Sequence, residues 1–136
     1  MIVLDASLMI ARILREPHAG LDPDLFSLLD TNQIVVPTHW PTEIANALRT
    51  NVRRGRIAQA DVKAIVGFLS DLQLTVSAPV QIHEIEGLTS FAVTQGLTAY
   101  DAAYVRIAME NAARLATVDQ AMRAAAQRLD IQLLPA

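Results

Sequence analysis

Short runs of consecutive apolar residues alternate along the chain with longer stretches whose apolar positions recur every three or four residues. Ile2, Val3 and Leu4 form the first run, Asp5 closes it, and Ser7 opens a helical pattern. Residues 22–32 are predicted helical, with Asp22 and Asp24 in the first turn where the helix dipole favours acids. Residues 33–38 predict a second strand, stopped by Pro37. The stretch from Trp40 predicts a helix with Pro41 near its start and Gly55 just past its end. Residues 58–72 predict another, with Ala60, Ala64, Val66, Phe68 and Leu69 on or near one stripe. A third strand at 74–79 and a helix at 82–96, ended by Gly96, come next. Thr98 is the expected N-cap of a helix over 97–112. A fourth strand at 114–119, a helix at 120–130 and a last strand at 131–135 complete the pattern.

Brief apolar strands separated by helices predict an α/β fold around a mainly parallel sheet with right-handed crossovers. Ligands of such sheets bind outside the C-terminal strand ends, where the strand order switches. At 136 residues and 52% hydrophobic content, a single domain spanning 1–136 is expected. Only 18% of residues are charged, which argues against disorder. A net charge of −3 does not suit a protein that coats nucleic acid non-specifically. Ten of the eleven basic residues are arginine and the other is Lys63. The absence of cysteine excludes disulfides, zinc-thiolate sites and cysteine nucleophiles. The opening lacks the basic start of a signal peptide, and no run approaches the roughly 18 apolar residues of a membrane helix. A cytoplasmic protein with no membrane partner is expected.

Four acids interrupt otherwise apolar surroundings: Asp5 in "IVLDA", Glu43 in "TEIANAL", Asp101 in "AYDAAYV" and Asp119 in "LATVD". Strand ends and following helix starts lie on the same sheet edge, so all four map to one edge. Each has an ordinary explanation alone. Asp5 and Asp119 suit helix caps, Glu43 complements a dipole, and Thr98 with Asp101 resembles a capping box. Together they suggest a site. Clustered carboxylates repel one another unless a cation compensates. Oxygen-only ligands point to a hard ion, Mg²⁺ or Mn²⁺, and a bound water on such an ion can attack phosphorus.

The stretches "MIVLDASL", "HWPTEIANAL", "LTAYDAAYVRIA" and "LATVDQAM" resemble the four motifs of the PIN domain, in particular the VapC-type toxin ribonucleases. The resemblance runs from residue 2 to about residue 133. It implies a PIN-like three-layer α/β/α sandwich and a Mg²⁺- or Mn²⁺-dependent endoribonuclease of a type II toxin–antitoxin pair. Asp5 matches the first-strand metal-binding aspartate, and Glu43 the glutamate after strand two. Asp101 matches the other principal metal ligand, and Asp119 the aspartate of the last motif. Thr117 and Ser7 fall where small hydroxyl residues often line the family's site. Met122 stands where these toxins often have leucine. A small cognate antitoxin, an RNA substrate and a homodimer are the implied partners.

Arg49, Arg53, Arg54 and Arg56 form a basic cluster at the end of the Glu43 helix. It suits either a solvated helix end or contact with an RNA backbone. Trp40, next to His39, is read as core or interface rather than a base-stacking platform. Tyr100 and Tyr104 are read as packing, and His18 and His83 carry no motif. A receiver-like signalling domain fits less well: Asp5 lacks an acidic neighbour, and Lys63 falls in a helix rather than on the last strand. Four intact acids argue against a non-catalytic binding module. A PIN nuclease outside toxin biology remains as the alternative, and the short chain favours the toxin.

Overall fold

The structure, a computed structural model, describes residues 1–15 and 23–136. His18 and Asp22 lie outside the described residues. The strands are β1 (Ile2–Leu4), β2 (Ile34–Val36), β3 (Leu74–Val76), β4 (Arg114–Ala116) and β5 (Leu133–Leu134). The helices are α1 (Ala6–Leu14), α2 (Pro23–Thr31), α3 (Trp40–Arg53), α4 (Val62–Ser70), α5 (Ile85–Gln95), α6 (Ala99–Glu110) and α7 (Gln120–Arg128). Short 3₁₀ turns, Gln59–Asp61 and Ile82–Glu84, lead into α4 and α5. Gly55 and Gly96 take the left-handed conformation that ends α3 and α5, which other residues adopt at a cost.

The sheet runs in the order β3-β2-β1-β4-β5, and every pairing is parallel. Ile2 pairs with Ile34 on one side and Arg114 on the other. Right-handed crossovers outward from β1 through β2 to β3 place α1–α4 on one face. The return to β4 and β5 places α5–α7 on the other. The contacts agree: α1 packs on α3, while α6 packs on α5, α7, β1, β2 and β4. Helices on both faces explain why Ile2, Val3 and Leu4 are fully buried, as an unbroken apolar run requires.

The strand order reverses between β1 and β4. The chain leaves β1 toward β2 on one side, and β4 fills the other side. The loops after β1 and β4 therefore diverge and leave a crevice between them. Asp5 and the Thr117–Asp119 segment stand at that crevice.

Two expectations need correction. The stripe of α4 that meets the core is Val62, Ile65 and Leu69. Val66 and Phe68 are instead 49% and 44% exposed, Ala64 is exposed as well, and Ala60 falls in the 3₁₀ turn before the helix. Val66 and Phe68 sit a turn position away from the packed stripe, so the helix turns them outward. The fourth strand also stops at Ala116, and Asp119 is the N-cap of α7 rather than a strand end. Trp40 and Met122 are buried in the core.

Candidate active site at the carboxylate edge

Asp5 is 4% exposed and caps α1. Its Oδ1 accepts from the Ser7 amide at 3.2 Å, and its Oδ2 accepts from the Ser7 hydroxyl at 2.8 Å and from Thr117 Oγ1 at 2.7 Å. The cap and the site are thus the same residue. An N-cap must have its carboxylate at the strand-to-helix junction, which is where the crevice opens.

Thr117 is fully buried, and its hydroxyl does two things at once. It donates to Asp5 and accepts from the Asp119 amide at 3.0 Å. This clips the loop after β4 to the end of β1 across the switch in strand order. Asp119 in turn caps α7, its Oδ1 accepting from the Met122 amide at 2.8 Å. Asp101 lies in the first turn of α6, and its amide donates to Thr98 Oγ1 at 3.1 Å. That bond is the Thr98 half of the expected capping box.

Glu43 lies in the first turn of α3 with its side chain 41% exposed. Tyr104 Oη donates to Glu43 Oε1 at 2.8 Å. The Tyr104 hydroxyl itself accepts from the Ala6 amide at 3.3 Å. His39 Nε2 is 3.1 Å from the same Glu43 oxygen but finds no aligned hydrogen-bond partner. Its contact with Glu43 is a close approach without an aligned hydrogen bond. The His39 ring stands edge-on to Tyr100 and Tyr104, with centroids 5.3 and 5.5 Å away.

The acids act on one another. Burial raises the Asp101 carboxyl above its ordinary value, and the charges of Asp119 and Asp5 push it further. Bonding to Thr98 and the nearby His39 oppose that rise. Glu43 is also raised, first by burial, with further pressure from Asp5 and Asp101; the Tyr104 hydrogen bond and His39 counter it. Burial and the Glu43 carboxylate raise the Tyr104 phenol far above its ordinary value, so it stays protonated and donates.

Among the described residues Arg106 pairs with Glu110, and His39 lies 3.1 Å from Glu43. No arginine or lysine there neutralises the four acids. Such an uncompensated set of hard oxygen donors suits a hard divalent cation in charge and donor chemistry. The geometry is not that of a closed cage. Among the described residues, no three His, Asp or Glu side chains form a ready ligand group. Asp5 is already held by three hydrogen bonds. Asp101, Glu43 and Asp119 are less buried.

The arginines lie elsewhere. Arg49, Arg53, Arg54 and Arg56 are exposed. Arg53 is ten residues beyond Glu43, about 15 Å along the helix axis. Arg49 and Arg53 border an apolar groove of about 580 Å³ between α3 and α4. Ser7 is exposed, consistent with lining an open crevice. Tyr104 and His39 were not singled out as site residues by the sequence pattern. One signal was there: a tyrosine on the apolar face of α6 carries a hydroxyl that burial obliges to find a partner.

No protein-family model matches the chain, and no curated protein matches it. Solved structures do resemble it. The crystal structure of PAE2754 from Pyrobaculum aerophilum superposes with a TM-score of 0.66 at 22% identity, over 91% of this chain and 78% of that one. The crystal structure of FitAcB from Neisseria gonorrhoeae superposes with a TM-score of 0.53 at 18% identity, over 98% and 96%. The architecture is a PIN-like α/β/α sandwich.

Proposed function

We propose that this protein is a Mg²⁺- or Mn²⁺-dependent endoribonuclease and the toxin of a type II toxin–antitoxin pair. The four motifs and the PIN-like fold support the reading. The observation that supports it is the electrostatic coupling of Glu43 to Asp5 and Asp101, and of Asp101 to Asp119 and Asp5, with His39 the basic group beside them and no arginine or lysine paired to them among the described residues.

Asp5, Asp101, Asp119 and Glu43 would hold the cation. When bound, such an ion would supply the positive charge that a phosphodiester needs at a negative crevice, together with an acidified water. The chain's own contribution is orientation. Thr117 and Ser7 fix the direction of the Asp5 carboxylate, and Thr117 with the α7 amide fixes Asp119. Ser7, Asp101 and Glu43 border the open side, where a single-stranded or looped backbone can approach. The same negative field suits a basic side chain from a small antitoxin, and an arginine fork matches a carboxylate pair. A homodimer completes the proposed assembly.

The test is incubation of structured RNA with purified wild type and Asp101→Ala protein in EDTA, Mg²⁺, Mn²⁺ or Ca²⁺. Cleavage is expected from wild type in Mg²⁺ or Mn²⁺. Little is expected in Ca²⁺, whose looser coordination at about 2.3–2.6 Å orients water and phosphate poorly. Equal cleavage in EDTA, or by Asp101→Ala, would overturn the mechanism once mixing of the two preparations has excluded a contaminant.

A further inference from the structure

Tyr104 is the largest fully buried side chain among the described residues. A buried phenol must place its hydroxyl, and this one bridges three separate parts of the chain. It stands on α6, three residues after Asp101. The Ala6 amide, the first after Asp5, donates to it, and it donates to Glu43 on α3. A backbone amide can only donate, so the direction of the relay is determined. The amide of Ala6 occupies the acceptor side of the hydroxyl, which directs its proton to Glu43.

Glu43 needs such a restraint. It is 41% exposed on a helix turn, and the charges of Asp5 and Asp101 repel it. Left alone, a flexible glutamate would turn to solvent. One hydrogen bond to a charged group is comparable to the rotamer entropy of a glutamate, so the Tyr104 bond is strong enough to decide its position. The His39 and Tyr104 rings meet edge to face with centroids 5.5 Å apart, so His39 packs beside the same hydrogen bond.

We infer that Tyr104 is a positioning residue of the site: its hydroxyl ties Glu43 to the Asp5–Ala6 junction and keeps the carboxylate turned toward the other acids. The inference rests on the nuclease reading above and deepens it. Tyr100, four residues earlier, meets His39 in the same edge-on way but is 68% exposed.

Two measurements test it. The first is a double-mutant cycle in cleavage of a single-stranded RNA oligonucleotide in Mg²⁺. Tyr104→Phe is expected to lower kcat about tenfold with KM changed less than about twofold, because it removes one hydrogen bond to a charged group and no substrate contact. In a Glu43→Ala background the same substitution should have no further effect. The second uses protein labelled with 3-fluorotyrosine. Two ¹⁹F resonances are expected from the two tyrosines, assigned with Tyr100→Phe. Glu43→Ala should move the Tyr104 resonance and abolish its response to Mg²⁺. Unchanged kcat in Tyr104→Phe while wild type cleaves would overturn the role of Tyr104 alone. An equal loss in the Glu43→Ala background would do the same. If Tyr104→Phe does not fold, a Tyr104 resonance indifferent to Glu43→Ala and to Mg²⁺ overturns the role. No cleavage by wild type in Mg²⁺ or Mn²⁺ would remove the nuclease reading and this role with it.

Discussion

Asp101 carries a charge that its surroundings disfavour. Its carboxyl is raised by burial and by the charges of Asp119 and Asp5, so the folded state binds its proton more tightly than the unfolded chain does. The sign follows. The stability from this raised value is full below the ordinary carboxylate range and is lost as pH rises through the raised value. At pH 7 without a cation, the ionised group is a cost. Asp101→Asn should therefore raise Tm in EDTA at pH 7 by about 1–2 °C, roughly half a kcal/mol after solvent screening. The gain should shrink toward pH 4, and Mg²⁺ should raise the Tm of wild type more than that of the variant. Thermal melts at pH 4 and 7 check this; a lower Tm for Asp101→Asn at pH 7 in EDTA would contradict the repulsion. Thr117 shows a different residue-scale lesson. A small hydroxyl beside an aspartate was legible as a site candidate, but its double role as clip across two loops came only from the distances.

Elements divide by how many faces they bury. β1 is covered on both faces, so its apolar run admits no other placement. Leu4→Ala should cost about 2–5 kcal/mol, since a fully buried side chain leaves a cavity that the layers on either side cannot fill. Val66→Ala, at a half-exposed position bordering the groove between α3 and α4, should cost less than about 1 kcal/mol. Urea denaturation of both variants measures the difference; similar costs would mean that α4 turns a different face to the core. Strand and helix order was legible from the pattern. The face of α4 was not, because apolar residues on that helix exceed the one stripe that the core requires.

For the whole molecule, the arrangement of charge matters more than its total. The net charge is only −3, but no arginine or lysine is paired to the four acids among the described residues, while Arg49, Arg53, Arg54 and Arg56 lie toward the far end of α3. A binding partner that covers the acids must therefore bring its own positive charge. On the toxin reading proposed above, expression of the wild type alone is expected to arrest bacterial growth. Asp5→Asn, which keeps shape but loses charge, should relieve the arrest. Co-expression with the small antitoxin proposed above should also relieve it and yield a complex on pull-down. Full toxicity of a folded Asp5→Asn protein would reduce Asp5 to its capping role.

The alternation of apolar runs and helical periods determined the α/β class by itself, because strands buried on both faces and amphipathic helices follow from local patterning. The positions of Asp5, Glu43, Asp101 and Asp119 at strand ends and helix starts were local facts as well, since caps and first turns are written in neighbouring residues. Only the tertiary structure decided which loops face each other. The strand order β3-β2-β1-β4-β5 brings Thr117 to Asp5 across 112 residues, and Tyr104 to Glu43 across 61. Those pairings depend on which strand neighbours β1 and which helix crosses it, and such contacts between distant segments leave no period in the sequence.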